Sequence, residues 1–480
     1  MVARHISGPQ LGRLLQDVPA ERPYYTALAR AVRGLVLEGR LPLRVRLPAE
    51  RDLAAVLGVS RTTVTAVYDA LRAEGFIESR QGAGSWTTLP PSPMTAPDPS
   101  RFGSAHASGR PEDIDLGCAA PGAPRIFEEA VAAAVAELPR YSSGPGYEPA
   151  GLIPLRKSIA ERYTERGLPT RPDQIVVTTG AQHALTLLMQ TLVNPGDAVL
   201  LESPTYPHAL DAVRRRGARL VPAGVNGGWD VELVASSLRQ AAVRLAYTIP
   251  DFQNPTGHLM SDADRAAFVD AARSADCYIV ADETFAELAI DPPAVPPPLA
   301  AYDSGGRVIS VGSAGKLFWG GLRIGWIRAT SPIARRLTIA RESIDMASPV
   351  LDQLIVRELL ARVGEVRAER SQRLAESRDA LAGALRATLP GWEFRLPHGG
   401  MSLWARLPAP VAVPLAEAAL RRGVRVVPGP AFGTDGVLDD YVRLPYVLPP
   451  PVLRDAVGRL RAAYQDIENA PPARMLPAYV

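Results

Sequence analysis

Apolar residues recur at helical spacing from Tyr25 to Glu38, where Leu28, Val32, Leu35 and Val36 form one stripe. Ala49 to Leu57 predicts a second helix, stopped by Gly58. Ser60 is placed to cap a third, RTTVTAVYDALRAE, with Val64, Val67 and Leu71 on one face and Arg61, Thr62 and Thr65 on the other. Gly75 is its natural stop. The next run, FIESRQGAGSWTT, alternates and turns through Gly82-Ala83-Gly84 as a small β-hairpin does. Short helices followed by a hairpin predict a winged helix-turn-helix over about residues 20–88.

The pattern then breaks. TTLPPSPMTAPDPSRFGSAHASGRPED is rich in Pro, Ser and Gly, and predicts a linker over residues 89–113. From residue 114 to about 470, strand-like runs (IVVTTG, AVLLESP, LAYTIP, YIVADE, VISVGS) alternate with helical ones. That alternation implies an α/β unit with a mainly parallel central sheet, and a smaller α+β subdomain is expected over about 380–470. The Pro-rich patch at 291–300 reads as a surface loop, and the tail NAPPARMLPAYV as poorly ordered.

Composition narrows the function classes. The 480 residues suffice for about two to four domains, and 47% hydrophobic with 21% charged residues is an ordinary globular mix. No apolar run approaches the ~18–20 residues of a membrane span, and MVARHISGPQ lacks an export signal, so a cytoplasmic protein without a membrane partner is expected. Two cysteines, Cys118 and Cys277, are no disulfide framework. The net charge of +3 is uneven: residues 1–90 carry 12 Lys/Arg against 8 Asp/Glu, and the rest 41 against 42. The basic excess therefore belongs to the N-terminal segment.

Only Lys157 and Lys316 are lysines; the other 51 basic residues are arginine. A lysine kept at a strand end in such a chain points to an amine that must lose its proton, which arginine cannot do. Lys316 in SVGSAGKLFWGGLRIGW stands at such an end, whereas Lys157 lies on a charged helix. Other strand ends carry further polar groups, where ligands bind in this architecture. TTGAQHAL opens a helix after Gly180, so the amides of Ala181 and Gln182 suit a phosphate. LLESPTY offers the Tyr206 ring for stacking, PDFQNPTG fixes the Asn254 amide at a turn, and YIVADETF buries Asp282, which needs a cation.

The run LEGRLPLRVRLPAERDLAAVLGVSRTTVTAVYDALRAEGFIESRQGAGSW closely resembles the GntR family of DNA-binding regulators. Arg61, Thr62 and Thr65 are then expected at phosphates and base edges of a major groove, beginning at the Ser60 cap. Arg80 and the wing tip at Gly82 are expected near the minor groove, and Arg51 on the backbone. Leu43 and Ala49 depart from the usual Gly and capping Ser. The strand-end motifs resemble fold type I aminotransferases that use pyridoxal 5'-phosphate, and the whole of residues 24–465 resembles the MocR/GabR regulators.

The resemblance implies that Lys316 carries the cofactor as a Schiff base, Asp282 holds the ring nitrogen, Asn254 the ring oxygen, and Tyr206 stacks on the ring. Ala181, Gln182, Ser313 and Arg323 would hold the phosphate, Arg443 an effector carboxylate, and Tyr147 would reach a partner subunit. It also implies a head-to-tail homodimer, an operator with repeated half-sites, and a small amine, an amino acid or pyridoxal phosphate itself as the signal. Thr284 and Phe285 stand where a tyrosine is usual, Gly315 where Ser precedes the lysine, and Ser402 where His is frequent. Two alternatives stay open: a working aminotransferase carrying a DNA head, and a DNA head on an empty scaffold.

Overall fold

The computed structural model describes residues 5–16, 18, 23–80, 84–90, 112–434 and 436–469. Gly82, most of the linker and the last eleven residues lie outside the described residues, as does the side chain of Arg80.

The head contains the three predicted helices, Tyr24–Leu37, Glu50–Leu57 and Arg61–Ala73. Their buried stripes meet through Leu28, Val32, Leu35, Leu53, Val64, Val67 and Leu71. Ser60 caps the third helix by accepting from the Thr63 amide at 3.1 Å, whereas Ala49 gives the second no side-chain cap. The hairpin pairs Ile77–Arg80 with Gly84–Thr87. The head begins earlier than residue 20: Gly8–Leu14 is a further short helix, closed by a capping box of Ser7 and Gln10. It packs on Glu50–Leu57 closely enough that a Cβ on Gly12 would lie 2.6 Å from Val56. Just before it, His5 bridges Arg46, which in turn bridges Trp86, so the N-terminal arm widens the wing.

The large unit is built on seven strands in the order Ile175–Thr178, Gly325–Arg328, Val308–Ser313, Tyr278–Asp282, Val243–Thr248, Ala198–Ser203 and Arg219–Gly224. All five strands expected from the sequence are present. Gly325–Arg328 runs antiparallel to both its neighbours, and the remaining pairings are parallel. Helices fill both faces, and the parallel strands are buried almost throughout.

Helix Val363–Thr388 leads into the small subdomain, so the boundary expected near residue 380 falls inside one continuous helix. Beyond it an antiparallel sheet, ordered Glu393–Phe394, Ser402–Arg406, Tyr441–Pro445 and Val427–Pro428, is covered by helices Ala412–Arg421 and Pro450–Glu468. Ile114–Asp115, at the start of the 114–470 unit, pairs with Val424–Arg425 of the small subdomain. The chain leaving the linker is thus tied first to the small subdomain, and then crosses to the large one past the site.

Candidate functional site

The polar strand ends converge. Lys316 lies one turn beyond strand Val308–Ser313, in a four-residue helix that Ser313 caps by accepting from the Gly315 amide at 3.0 Å. Its Nζ donates to the Ala119 carbonyl at 2.9 Å and stands 5.8 Å from the centre of the Phe285 ring. Burial, with the cations of Arg443 and Arg323 nearby, lowers its pKa against the opposing pull of Asp282. An amine more easily deprotonated is a better nucleophile at neutral pH.

Asp282 ends its strand buried. The Tyr247 hydroxyl donates to its Oδ2 at 2.7 Å, and the Thr284 amide to Oδ1 at 3.1 Å. Desolvation raises its pKa, and these donors act against that rise. Tyr247 was not expected from the sequence, because a strand tyrosine reads as packing. Asn254 is buried in the turn after Val243–Thr248. The turn itself is held by Glu202, whose carboxylate accepts from Trp229, Thr248, the Ile249 amide and Gln253 at 2.5–3.0 Å. Glu202 was missed as well, although its position at the end of a buried strand gave the same signal as Asp282.

Gly180, at φ +83°, begins helix Ala181–Leu192, whose first amides have no side-chain cap. A Cβ on Gly180 would lie 2.7 Å from Arg323 Nη2, so the glycine keeps a cradle open beside that guanidinium. Arg323 reaches only main-chain carbonyls of Gly320 and Thr179, both at 3.5 Å, among the described residues. The buried Oε1 of Gln182 has no partner. Tyr206 caps the next helix half-buried, its hydroxyl pushed up to about 12 by burial and by Asp282.

Arg443 is buried on strand Tyr441–Pro445. It donates to the Gly117 carbonyl and, at 3.4 Å, to Asn254 Oδ1; its Nε has no partner. Among the described residues it makes no ion pair, and burial lowers its pKa to about 10. Arg265 and Arg341, equally buried, are neutralised by Asp251 at 2.5 Å and Asp345 at 2.7 Å. Tyr147 lies apart, 61% exposed on a loop.

On the head, Arg51 and Arg61 are exposed at 88% and 73% of their side chains. Ser60 engages the hydroxyls of Thr62 and Thr63 at 2.7 and 2.8 Å. Thr65 donates to Glu50 at 2.8 Å, and Arg61 to the same carboxylate at 3.4 Å. Glu50, not singled out from the sequence, therefore orients two of the expected contacts. His5, Arg46, Arg51 and Arg61 line one groove between the arm, the second helix and the wing.

Residues 127–460 match the model of aminotransferase class I and II. The chain belongs to that family. Residues 24–86 match the bacterial regulatory proteins of the gntR family, so a DNA-binding winged helix is fused to an aminotransferase-like domain.

Similar proteins include named regulators and an aminotransferase. An uncharacterized HTH-type transcriptional regulator of Bacillus subtilis, YisV, is 28% identical over 90% of this chain and 92% of its own. The probable rhizopine catabolism regulatory protein MocR of Rhizobium meliloti is 35% identical over 65% of this chain and 67% of its own. Aromatic-amino-acid aminotransferase 1 of Thermococcus litoralis is 33% identical over 66% and 78%.

The α-aminoadipate aminotransferase LysN of Thermus thermophilus, solved with N-(5'-phosphopyridoxyl)-L-leucine, aligns with TM-score 0.70 and 29% identity over 77% of this chain and 97% of that one. The aminotransferase-family domain is thus of the pyridoxal-phosphate-binding kind. Its residues fit that group: the open cradle at Gly180 and Arg323, with the uncapped amides that begin helix Ala181–Leu192, suits a phosphate.

Proposed function

We propose that this chain is a transcriptional regulator that senses a small amine or amino acid, or pyridoxal phosphate itself, through its aminotransferase-family domain. The observation carrying the reading is Arg443, a buried guanidinium without a carboxylate, in the same site as the Lys316 amine. A buried charge is ordinarily paired, so a ligand carboxylate is the natural complement.

Lys316 would hold the cofactor covalently, and Asp282, oriented by Tyr247 and Thr284, would keep the ring nitrogen protonated by accepting its hydrogen bond. Asn254 donates to the ring oxygen, and Tyr206 covers the ring. The Ala181 and Gln182 amides, Ser313 and Arg323 hold the phosphate. When bound, pyridoxal phosphate supplies a carbonyl carbon that joins primary amines reversibly. Phe285 in place of a tyrosine removes a hydroxyl close to Lys316, which favours ligand capture over rapid turnover.

DNA is held by Arg51, Arg61, Thr62 and Thr65, with Ser60 fixing the helix start and Arg80 and Gly82 on the wing. Repeated half-sites follow if two heads act together in a head-to-tail homodimer, for which Tyr147 is exposed and free to reach a second subunit. No helix among the described residues is long and apolar enough to cross a membrane. A cytoplasmic location accords with a DNA partner.

The test is borohydride reduction of the purified, cofactor-loaded protein and peptide mapping. A pyridoxyl adduct at Lys316 and not at Lys157 supports the reading; no adduct in excess pyridoxal phosphate overturns it. A working aminotransferase is the competing reading, favoured by the likeness to the Thermococcus litoralis enzyme. Multiple-turnover production of keto acid from an amino-acid panel would establish it.

A further inference from the structure

The N-terminal arm precedes the segment that matches the gntR regulators, yet it is built into the head. Leu11 and Leu15 are buried in the head core, and Ile6 packs against it. The Ile6 amide donates to the Arg46 carbonyl at 3.0 Å. Residues 44–47 are joined in turn to the hairpin, the Leu47 amide donating to Ser85 at 2.9 Å and the Thr87 amide to Val45 at 3.0 Å. Four extended segments therefore lie side by side in the wing, and alternation fixes their faces. Ile6, Val45 and Leu47 turn towards the core. His5 and Arg46, bridged to each other across the edge, turn outward and are exposed.

The Arg46 side chain is held in one direction. Its guanidinium lies over Gly84, where a Cβ would stand 2.7 Å from Nε. Gly84, at φ +111°, thus leaves the space that the guanidinium fills. The neighbouring acids are engaged elsewhere: Glu50 accepts from Arg61 and Thr65, and Asp52 lies 3.7 Å from Arg51. Arg46 makes no ion pair among the described residues.

His5 and Arg46 line a groove of about 750 Å³ that runs between the arm, the start of helix Glu50–Leu57 and the wing, room for a chain of groups rather than a single ion. Arg51 and Arg61, assigned above to DNA backbone and major groove, stand on one side of it. On the other is the wing, assigned to the minor groove. What separates those two grooves in a duplex is a sugar-phosphate strand, a continuous row of single negative charges. An exposed, unmatched guanidinium between the two contacts fits that row in position and in charge.

We propose that the N-terminal arm and Arg46 form a further contact with duplex DNA, in which His5 and Arg46 hold a phosphate of the strand running between helix Arg61–Ala73 and the wing. The inference rests on the reading of the head as a DNA binder. The arm is already fixed by its own core contacts, so little ordering is required when DNA arrives. A phosphate contact reads no base, and it strengthens binding to every sequence alike.

The test is fluorescence anisotropy of the full-length, cofactor-loaded protein with a labelled duplex of mixed sequence over a salt series. Arg46→Ala is expected to weaken binding about fivefold and to lower the salt slope of log K by about one. His5→Ala should weaken it about twofold. Arg46→Lys, which keeps the charge, should keep the slope. Arg30→Ala, exposed on helix Tyr24–Leu37 and outside the groove, should bind as the wild type does. Wild-type affinity and slope in Arg46→Ala, with Arg61→Ala weakened, overturn the contact and leave the DNA reading standing. A wild-type protein that fails to bind the duplex even at low salt overturns the DNA reading and this contact with it. Equal losses in Arg46→Ala and Arg30→Ala, or a slope lowered as much by Arg46→Lys as by Arg46→Ala, trace the effect to net charge or to the fold of the wing and overturn the contact as well.

Discussion

The two working faces of this molecule are built on opposite electrostatic plans. On the head the expected DNA contacts among the described residues are exposed or half-buried, and each is already engaged: Arg61 and Thr65 by Glu50, Ser60 by Thr62 and Thr63, Arg51 by Asp52 at 3.7 Å. In the cofactor domain the key groups are buried, and several have no partner of opposite charge. Water screens the first set, so neighbours are needed only to orient them. The second set is held by a fold that tolerates their desolvation until a ligand arrives. What marks a binding group thus differs by region: exposure and orientation on the head, unmatched burial in the domain.

The contrast breaks most completely at Lys316. Lys316→Arg keeps the charge and removes the reversible amine, so the borohydride-fixed pyridoxyl adduct should vanish entirely from the peptide map while the fold persists. Next comes the distinction between matched and unmatched buried arginines. Asp251→Asn strands Arg265 in the interior and should cost about 3–5 kcal/mol in urea unfolding, whereas Arg443→Met should leave stability within about 1 kcal/mol of wild type or above it. Equal losses in the two variants would show that Arg443 is paired after all.

A pH measurement sharpens the same point. Burial, only partly offset by Arg166, raises Glu283 to about 7, above its ordinary 4.5. Between those values the folded chain binds the extra proton, so this group's contribution falls as pH rises through that window. Glu283→Gln should therefore gain stability relative to wild type on going from about pH 5 to about pH 8, and a pH-independent difference would contradict it.

Effects on the head should be smaller, since screened groups are worth less. Arg61→Ala should weaken binding to duplex DNA about tenfold and lower the salt slope of log K by about one, measured by fluorescence anisotropy. Thr65→Val should cost about 1 kcal/mol of head stability through the lost bond to Glu50, seen as a lower melting temperature of the head.

Much of this was legible in the chain. The head helices match to within a residue at each end, because their apolar stripes have no competing period. The five strand ends were legible because buried parallel strands read as continuous apolar runs that stop at a polar group. The helix Gly8–Leu14 was passed over: it is a single short stretch with two glycines and a proline, and its one clear sign was the spacing of Ser7 and Gln10. Strands Arg219–Gly224 and Gly325–Arg328 begin or end on arginine, which blurs their edges.

The sequence by itself determined the head and the sheet and singled out Lys316 as the candidate amine, since these follow from local period and from a residue type used only twice. Tertiary structure alone decided which charges are matched. Asp251 finds Arg265 over 14 residues of chain, while Arg443 hydrogen-bonds, among the described residues, to Gly117 and Asn254, 326 and 189 residues away, and finds no carboxylate. It likewise decided that Ile114–Asp115 joins the small subdomain, and that Arg46 lies over Gly84. Pairing and close approach are properties of distance in space, and residues remote along the chain carry no local pattern from which that distance can be read.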